Sequence, residues 1–291
     1  MSGLIRQVVD SSGNIPRDLI KKYNISEASF YFKFQDTDYV KENVDVEETN
    51  RFFQHMEENP NDIPNTATPN IHDWLSIFGE LYEKGARKFI VTTISSKLSA
   101  SFQTATTAKE MFEEDHNDAQ VEVINSNTCA CGQAALEIWI GEMINRGKDF
   151  KAIVEKARDM IPRVNTLFTV DSLKYMQAGG RIGAAAALLG VLVNIKPVCE
   201  FVDGEVKVIR PVVGRRRSLK TMIDVAVSRI SDIQRTIIVL QNAKSPKDAE
   251  YMYQYLKEKT KQELQVFNSS LGITVGGHSG PGSMGIGFVE F

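Results

Sequence analysis

The sequence predicts an α/β fold in two domains, the first built on a doubly wound parallel sheet and the second an α/β unit with a mixed or antiparallel sheet. Three observations carry this. The chain has 291 residues, beyond what one core usually organises, and chains of this size divide into domains of about 100 to 160 residues. In the first half, strand-like runs alternate with helical ones, which implies parallel pairing through crossover connections. In the second half, two β-rich runs flank Asp203-Gly204, a dipeptide suited to the positive-φ positions of a two-residue type I′ hairpin.

The elements follow in order. An opening strand ends at Asp10-Ser11-Ser12. Ile71, Trp74, Ile77, Phe78, Leu81 and Tyr82 recur at steps of three and four, the spacing of one helical face, and that helix ends before Gly85. Lys88 to Ile94 reads as a strand, Ser95-Ser96-Lys97-Leu98-Ser99 as a polar loop, and Phe102 to Glu114 as a helix. Val121 to Ile124 supplies another strand and Gly132 to Asn145 another helix. In parallel sheets ligands bind beyond the carboxyl ends of the strands, where the Ser95-Ser96 loop would lie. A helix starting near Asp171 should stop at Gly179-Gly180, and the hairpin runs from Pro197 to Val202 and from Glu205 to Val213. Ser218 is expected to cap a helix reaching about Ile230, ahead of a strand from Thr236 to Leu240. Ser245-Pro246-Lys247-Asp248 then opens a helix reaching about Lys259, with a cap, a proline in the first turn and an acid three residues on. The change of pattern puts the domain boundary near Pro162, giving domains 1–162 and 163–291.

Composition narrows the function. A net charge of −3 with 42% hydrophobic and 24% charged residues is ordinary for a folded protein and argues against an electrostatic nucleic-acid binder. The first ten residues lack the basic and apolar regions of a secretory signal, so a cytoplasmic protein is expected. The most apolar run, Ala184 to Val193, is about half the roughly 20 residues that cross a bilayer and reads as a buried element. Cys129, Cys131 and Cys199 have neither zinc nor redox spacing, so reduced structural thiols and no metal are expected.

Five segments stand out: Asp10-Ser11-Ser12 with Ile15-Pro16; Thr66-Ala67-Thr68-Pro69; Ile94-Ser95-Ser96-Lys97-Leu98-Ser99; the long run from Leu173 through Gly179-Gly180-Arg181-Ile182-Gly183 to Ile195-Lys196-Pro197; and His278-Ser279-Gly280-Pro281-Gly282. In this order, spanning almost the whole chain, they resemble the motifs of the DegV family. Three positions depart from the family pattern: Ala67, Ala100 where a glycine is usual, and Asn125, before Ser126, where an acid is usual. The resemblance implies a fatty-acid-binding protein with its ligand in a tunnel between the two domains. It implies no catalysis of its own and no cofactor other than a bound long-chain fatty acid. In many members the protein presents that fatty acid to a separate ATP-dependent fatty acid kinase, which makes the acyl phosphate.

The residues can be read physically beside this. A fatty acid needs a dry apolar sleeve and a few donors for one carboxylate. At about 0.8 kcal/mol per buried methylene, a chain of about 15 methylenes gains roughly 12 kcal/mol, comparable with an association cost of about 4 to 15. The sleeve therefore dominates affinity and the donors set direction. Ser96, on the loop after a strand, is the first candidate donor and Thr66 the second, with Ser95, His278 and Arg181 nearby. Ile94, Leu188, Leu189, Leu192 and Ile195 are the candidate sleeve. The small residues from Ala184 to Val193 suit packing around an alkyl chain and equally suit an ordinary buried helix. Arg215, Arg216 and Arg217 read either as a solvated loop or as a docking point for an acidic or phosphate-bearing partner. The rival reading is a hydrolase acting on a lipid or acyl substrate, with Ser96 as nucleophile and His278 as base. Neither a Gly-x-Ser-x-Gly elbow nor a Walker-type phosphate loop is present to support an autonomous hydrolase or kinase.

Overall fold

The computed structural model describes residues 4–34, 38–42, 46–190 and 194–291. The chain opens with β1 (Leu4–Asp10), α1 (Arg17–Tyr23), β2 (Ser26–Ala28), β3 (Tyr31–Lys33), β4 (Val40–Lys41), α2 (Val46–Glu58) and β5 (Asn65–Ala67). It continues through α3 (Ile71–Glu83), β6 (Ala86–Thr93), α4 (Ser101–Asp115), β7 (Gln120–Asn125), α5 (Ala130–Asn145) and α6 (Phe150–Met160). After a 3₁₀ turn at Ile161–Arg163 come β8 (Asn165–Thr169), α7 (Lys174–Ala178), β9 (Val198–Val202), β10 (Glu205–Arg210) and α8 (Arg215–Arg229). The last elements are β11 (Thr236–Asn242), α9 (Pro246–Thr260), β12 (Val266–Ser270), α10 (Ile273–Ser279) and β13 (Met284–Glu290).

The first half holds a four-stranded parallel sheet in the order β2-β1-β6-β7. One face packs on α3 and α4 through Trp74, Phe78 and Phe112, and the other packs on α5 and α6. That is the doubly wound arrangement expected. The second half holds a six-stranded sheet, β10-β9-β8-β13-β11-β12, antiparallel except for β11 with β12. All strands of the first sheet precede Ile161–Arg163 and all strands of the second follow it, and we place the division of the chain at this turn. A small antiparallel sheet, β4-β3-β5, packs with α2 and α10.

α5 is the layer both halves share. Every residue from Ala130 to Gly141 is buried, because the helix is apolar nearly all round and has a neighbour on each side. It packs against β1 and α6 on one side and β11 and β13 on the other. The approach to β13 is so close that a side chain at Gly287 would collide with the Cys131 backbone.

The hairpin forms as read, with Asp203 at φ 52° and Gly204 at φ 84°. Three expectations need correction. Ser218 does not cap α8: the helix begins at Arg215 after Gly214, and Ser218 is buried one turn inside with its hydroxyl on Thr169, 2.7 Å away. Pro246 opens α9 as expected, but Ser245 makes no side-chain cap bond. The alanine-rich run is not a buried element: Gly183–Leu188 is a 3₁₀ turn with only Ala185 buried. Its short side chains offer little area to bury, and Gly183 and Gly190, at φ 52° and 74°, interrupt any longer helix. Residues 191–193 lie outside the described residues.

Candidate functional site

Between the two halves lies a cavity of about 290 Å³, at the lower end of the roughly 300 to 1,000 Å³ typical of ligand pockets. Its wall is mainly apolar: Phe30, Ile94, Leu98, Phe168, Met176 and Phe201 line it, from both halves of the chain. Cys129 and Cys131, at the start of α5, line it as well. All three cysteines are unpaired and buried; burial pushes the Cys131 and Cys199 thiols up to about 12 and the Cys129 thiol higher still. They present soft apolar surface rather than nucleophiles.

The polar groups of the wall gather at one place. Thr66, on β5, meets His278, near the end of α10, with Oγ1 and Nε2 2.9 Å apart. Arg181 lines the same cavity from an exposed position, its guanidinium donating to the carbonyls of Leu98, at 3.3 Å, and Gly179. Burial, and secondarily the Arg181 charge, lower the His278 imidazole from 6.5 to about 4, so it is neutral at pH 7. Three further atoms here are buried with no hydrogen-bond partner among the described residues: Thr68 Oγ1, Ser279 Oγ and His278 Nδ1. The last packs against Gly179, where any side chain would collide with it.

α10 is held from its other end. Glu42 is buried, accepting from the Thr274 backbone N–H at 3.0 Å, the Thr274 hydroxyl at 2.7 Å and the Ser11 hydroxyl at 3.2 Å. Burial raises its carboxyl above the ordinary value, against the pull of these donors.

Asp10 does similar work at the carboxyl ends of β1 and β6. It accepts from the Ile94 N–H at 2.9 Å, the Ser101 hydroxyl at 2.6 Å, Gln133 Nε2 at 3.0 Å and both the N–H and hydroxyl of Ser12. One carboxylate thereby joins two strands to α4 and α5. Burial raises its pKa and the donors oppose the rise. The same burial raises Glu137 well above its ordinary value, next along through Gln133.

The structure brings together Thr66, His278, Arg181 and Ile94 of the expected site. Ser95 and Ser96 do not line the cavity. Ser96 is exposed, its hydroxyl accepting from Asn125 Nδ2 at 2.8 Å, and Ser95 is buried, donating to the Gly204 carbonyl at 2.9 Å. The loop reaches the cavity further along, through Leu98, Ser99 and Ala100. With Ser96 engaged by Asn125 and His278 Nε2 by Thr66, the Ser96–His278 nucleophile and base are not assembled. Leu188, Leu189 and Ile195 do not line the cavity either; Ile195 bridges to Val213, and Leu192 lies outside the described residues.

The arginine triplet forms the first turn of α8 rather than a loop. Arg215 pairs with Asp171 at 3.3 Å and Asp248 at 2.8 Å, and Arg216 stacks 3.6 Å over Tyr251. Arg217 is exposed with no side-chain partner among the described residues. Sequence reasoning missed Thr68 and Ser279, although each is a neighbour of a residue it singled out. It also missed the aromatic wall of Phe30, Phe168 and Phe201, which carries no local signal. Among the described residues no three His, Cys, Asp or Glu side chains converge on a metal position, and no helix is long and apolar enough to cross a membrane.

The family model described as "Uncharacterised protein, DegV family" matches residues 5–290. The chain belongs to the DegV family. A DegV domain-containing protein of Staphylococcus aureus (strain N315) is 28% identical over 285 residues, covering 98% of this chain and 97% of the relative. Among solved structures, a stearic acid-binding protein of Eubacterium ventriosum superposes with a TM-score of 0.91 at 24% identity, covering 98% of each chain. A DegV family protein of Thermus thermophilus, described for its fatty acid binding, gives 0.89 at 21% identity over 99% of each chain. DegV of Bacillus subtilis, described as a fatty acid binding protein, gives 0.86 at 22% over the whole of both. The two-sheet DegV architecture is thus shared along the full chain.

Proposed function

We propose that this protein binds one long-chain fatty acid in the cavity, its carboxylate at Thr66 and His278 with Arg181 at the mouth, and hands it to a separate ATP-dependent kinase for conversion to the acyl phosphate. The observation that carries the reading is the concentration of unanswered polar atoms, Thr68 Oγ1 and Ser279 Oγ, beside the Thr66–His278 pair in an otherwise apolar cavity. A carboxylate offers about four acceptor sites, enough to take hydroxyl donors from both sides of the pair. Arg181, exposed at the cavity, adds a charge that attracts the carboxylate and suits the phosphate that would replace it. The fatty acids named for the DegV relatives support the same ligand class.

The chemistry of His278 argues for carriage over catalysis. A general base works best with a pKa near the operating pH, whereas burial holds this imidazole at about 4. A catalytic imidazole is also commonly oriented by an acid on its second nitrogen, and here Nδ1 packs against Gly179 and has no hydrogen-bond partner among the described residues.

Native mass spectrometry of the purified protein, followed by organic extraction, tests the reading. One fatty acid per chain is the expected result. A protein that arrives empty and takes up no added octadecanoic acid would refute it. The kinase step is tested separately by supplying loaded protein, ATP and a fatty acid kinase, and measuring acyl phosphate.

A further inference from the structure

The walls of the cavity are held with unequal firmness. On one side stands the start of α5, a helix buried from Ala130 to Gly141 between the two sheets. Beside the Thr66–His278 pair stands α10, pinned by the buried Glu42. On the side of Arg181 the wall is a seam, shared between Leu98, Ser99 and Ala100 from the first half and Phe201 and Val206, on the β9–β10 hairpin, from the second.

The hairpin reaches this seam as a projecting end. β9 pairs with β8 only from Val198 to Glu200, and beyond Glu200 its one ladder partner among the described residues is β10, the edge strand of the sheet. A two-stranded hairpin is only marginally stable without other support, and two bonds across the seam supply it. Gly204, at the turn, is buried. Its carbonyl accepts the Ser95 hydroxyl at 2.9 Å, and Ser95 has no exposed surface. The Arg181 guanidinium donates to the Leu98 carbonyl at 3.3 Å. Arg181 belongs with the hairpin, because Gly183, two residues on, lies against the Val206 backbone. Parting this seam passes the Ser95 hydroxyl and the Gly204 and Leu98 carbonyls to water, an exchange of about 1 kcal/mol per neutral bond. Parting α10 would strip a buried carboxylate of its donors.

We infer that the β9–β10 hairpin is the door of the cavity and Ser95 its latch, so that the fatty acid enters and leaves where the hairpin tip parts from the Ser95–Leu98 loop. The inference rests on the fatty-acid reading above and adds a route to it. Ser95, which does not line the cavity, thereby sets how fast the ligand exchanges rather than how tightly it binds.

The test follows exchange of bound octadecanoic acid for its perdeuterated form by native mass spectrometry of the full-length protein. Ser95→Ala is expected to speed release and uptake together, each about fivefold as for one lost hydrogen bond, with Kd held within about twofold. Unchanged rates, or a raised Kd with uptake unchanged, overturn the latch. A second variant shuts the door. A Cβ at Gly204 lies 3.6 Å from Lys97 Cβ, inside the roughly 3.5 to 4.5 Å of a disulfide, and Ser95→Ala removes the hydroxyl that such a side chain would meet. In the Ser95→Ala, Lys97→Cys, Gly204→Cys protein, loaded and then oxidised, exchange is expected to stop and to resume on reduction. If this variant does not fold or cross-link, the Ser95→Ala rates decide the matter. Exchange as fast oxidised as reduced overturns the inference and leaves the carrier reading standing. Failure of the unsubstituted protein to take up either acid overturns both.

Discussion

Two buried polar clusters, of which only the one around His278 lines the cavity, are built on opposite terms. Around Asp10 every donor has its acceptor: five bonds converge on one buried carboxylate and fasten β1, β6, α4 and α5 together. Around His278 the accounting stays open, with Thr68 Oγ1, Ser279 Oγ and His278 Nδ1 buried and unanswered. Buried polar atoms are nearly always paired in a folded chain, so the first cluster is explained by the fold alone. The second is what the proposed ligand would answer. The distinction also separates motifs that look alike in sequence: Asp10-Ser11-Ser12 holds the scaffold, whereas Thr66 and Thr68 line the cavity.

The sharpest way to break this comparison is to remove the closed cluster. Asp10→Ala strands the Ile94 N–H, the Ser101 hydroxyl and the Gln133 amide in a dry interior, and should lower stability by about 3 kcal/mol or more in urea unfolding. If stability is unchanged and only ligand binding suffers, Asp10 belongs to the ligand site and the division fails.

The next largest effect is a pH dependence at the open cluster. The folded state holds His278 at about 4 against 6.5 in the free side chain, so it favours the neutral form. Stability from this preference is complete above about pH 6.5 and is lost as pH falls toward 4, amounting to about 3 kcal/mol at most. His278→Gln should therefore flatten the acid limb of stability between those values. Buried carboxyls raised above their ordinary values, at Asp10, Glu42 and Glu137, act in the opposite sense, so the difference between the two proteins is the quantity to measure. Curves that run parallel across this window would show His278 titrating normally.

Smaller still, Thr66→Val should weaken octadecanoate binding about tenfold with little change in unfolding midpoint, as expected for one hydrogen bond to a charged ligand group. Equal affinity by calorimetry would take Thr66 out of the carboxylate site. The smallest effect belongs to Arg217→Ala, on an exposed helix face. Stability should move by less than about 0.5 kcal/mol and fatty acid binding not at all. A slower transfer to the kinase would give this arginine the partner role that Arg215 and Arg216, already engaged within the chain, are poorly placed to fill.

Much of the fold was legible because it follows from local pattern. The helical face from Ile71 to Tyr82 and the Asp203-Gly204 turn need no knowledge of distant residues. The start of α8 was misread because the residues that hold Arg215 and Arg216, namely Asp171, Asp248 and Tyr251, are remote in sequence. The apolar run after Gly183 misled because hydropathy counts residues, not the area each can bury, and alanines bury little. At the site, Thr66, His278 and Arg181 were recognisable from their motifs, yet Ser96 was ranked above them. Its position after a strand was read correctly; its side-chain direction was not, since that depends on Asn125, which meets it across the ladder end. The aromatic wall could not be read at all, because Phe30, Phe168 and Phe201 converge only when the two sheets pack.

The most direct test of the account is a crystal structure of the protein with a long-chain fatty acid brominated at its methyl end, the bromine located by anomalous scattering. The account predicts the carboxylate within hydrogen-bonding distance of Thr66 Oγ1 and the bromine inside the cavity, away from His278. A carboxylate seated on Ser96, or a bromine beside His278 with the carboxylate at the opposite end, would contradict it.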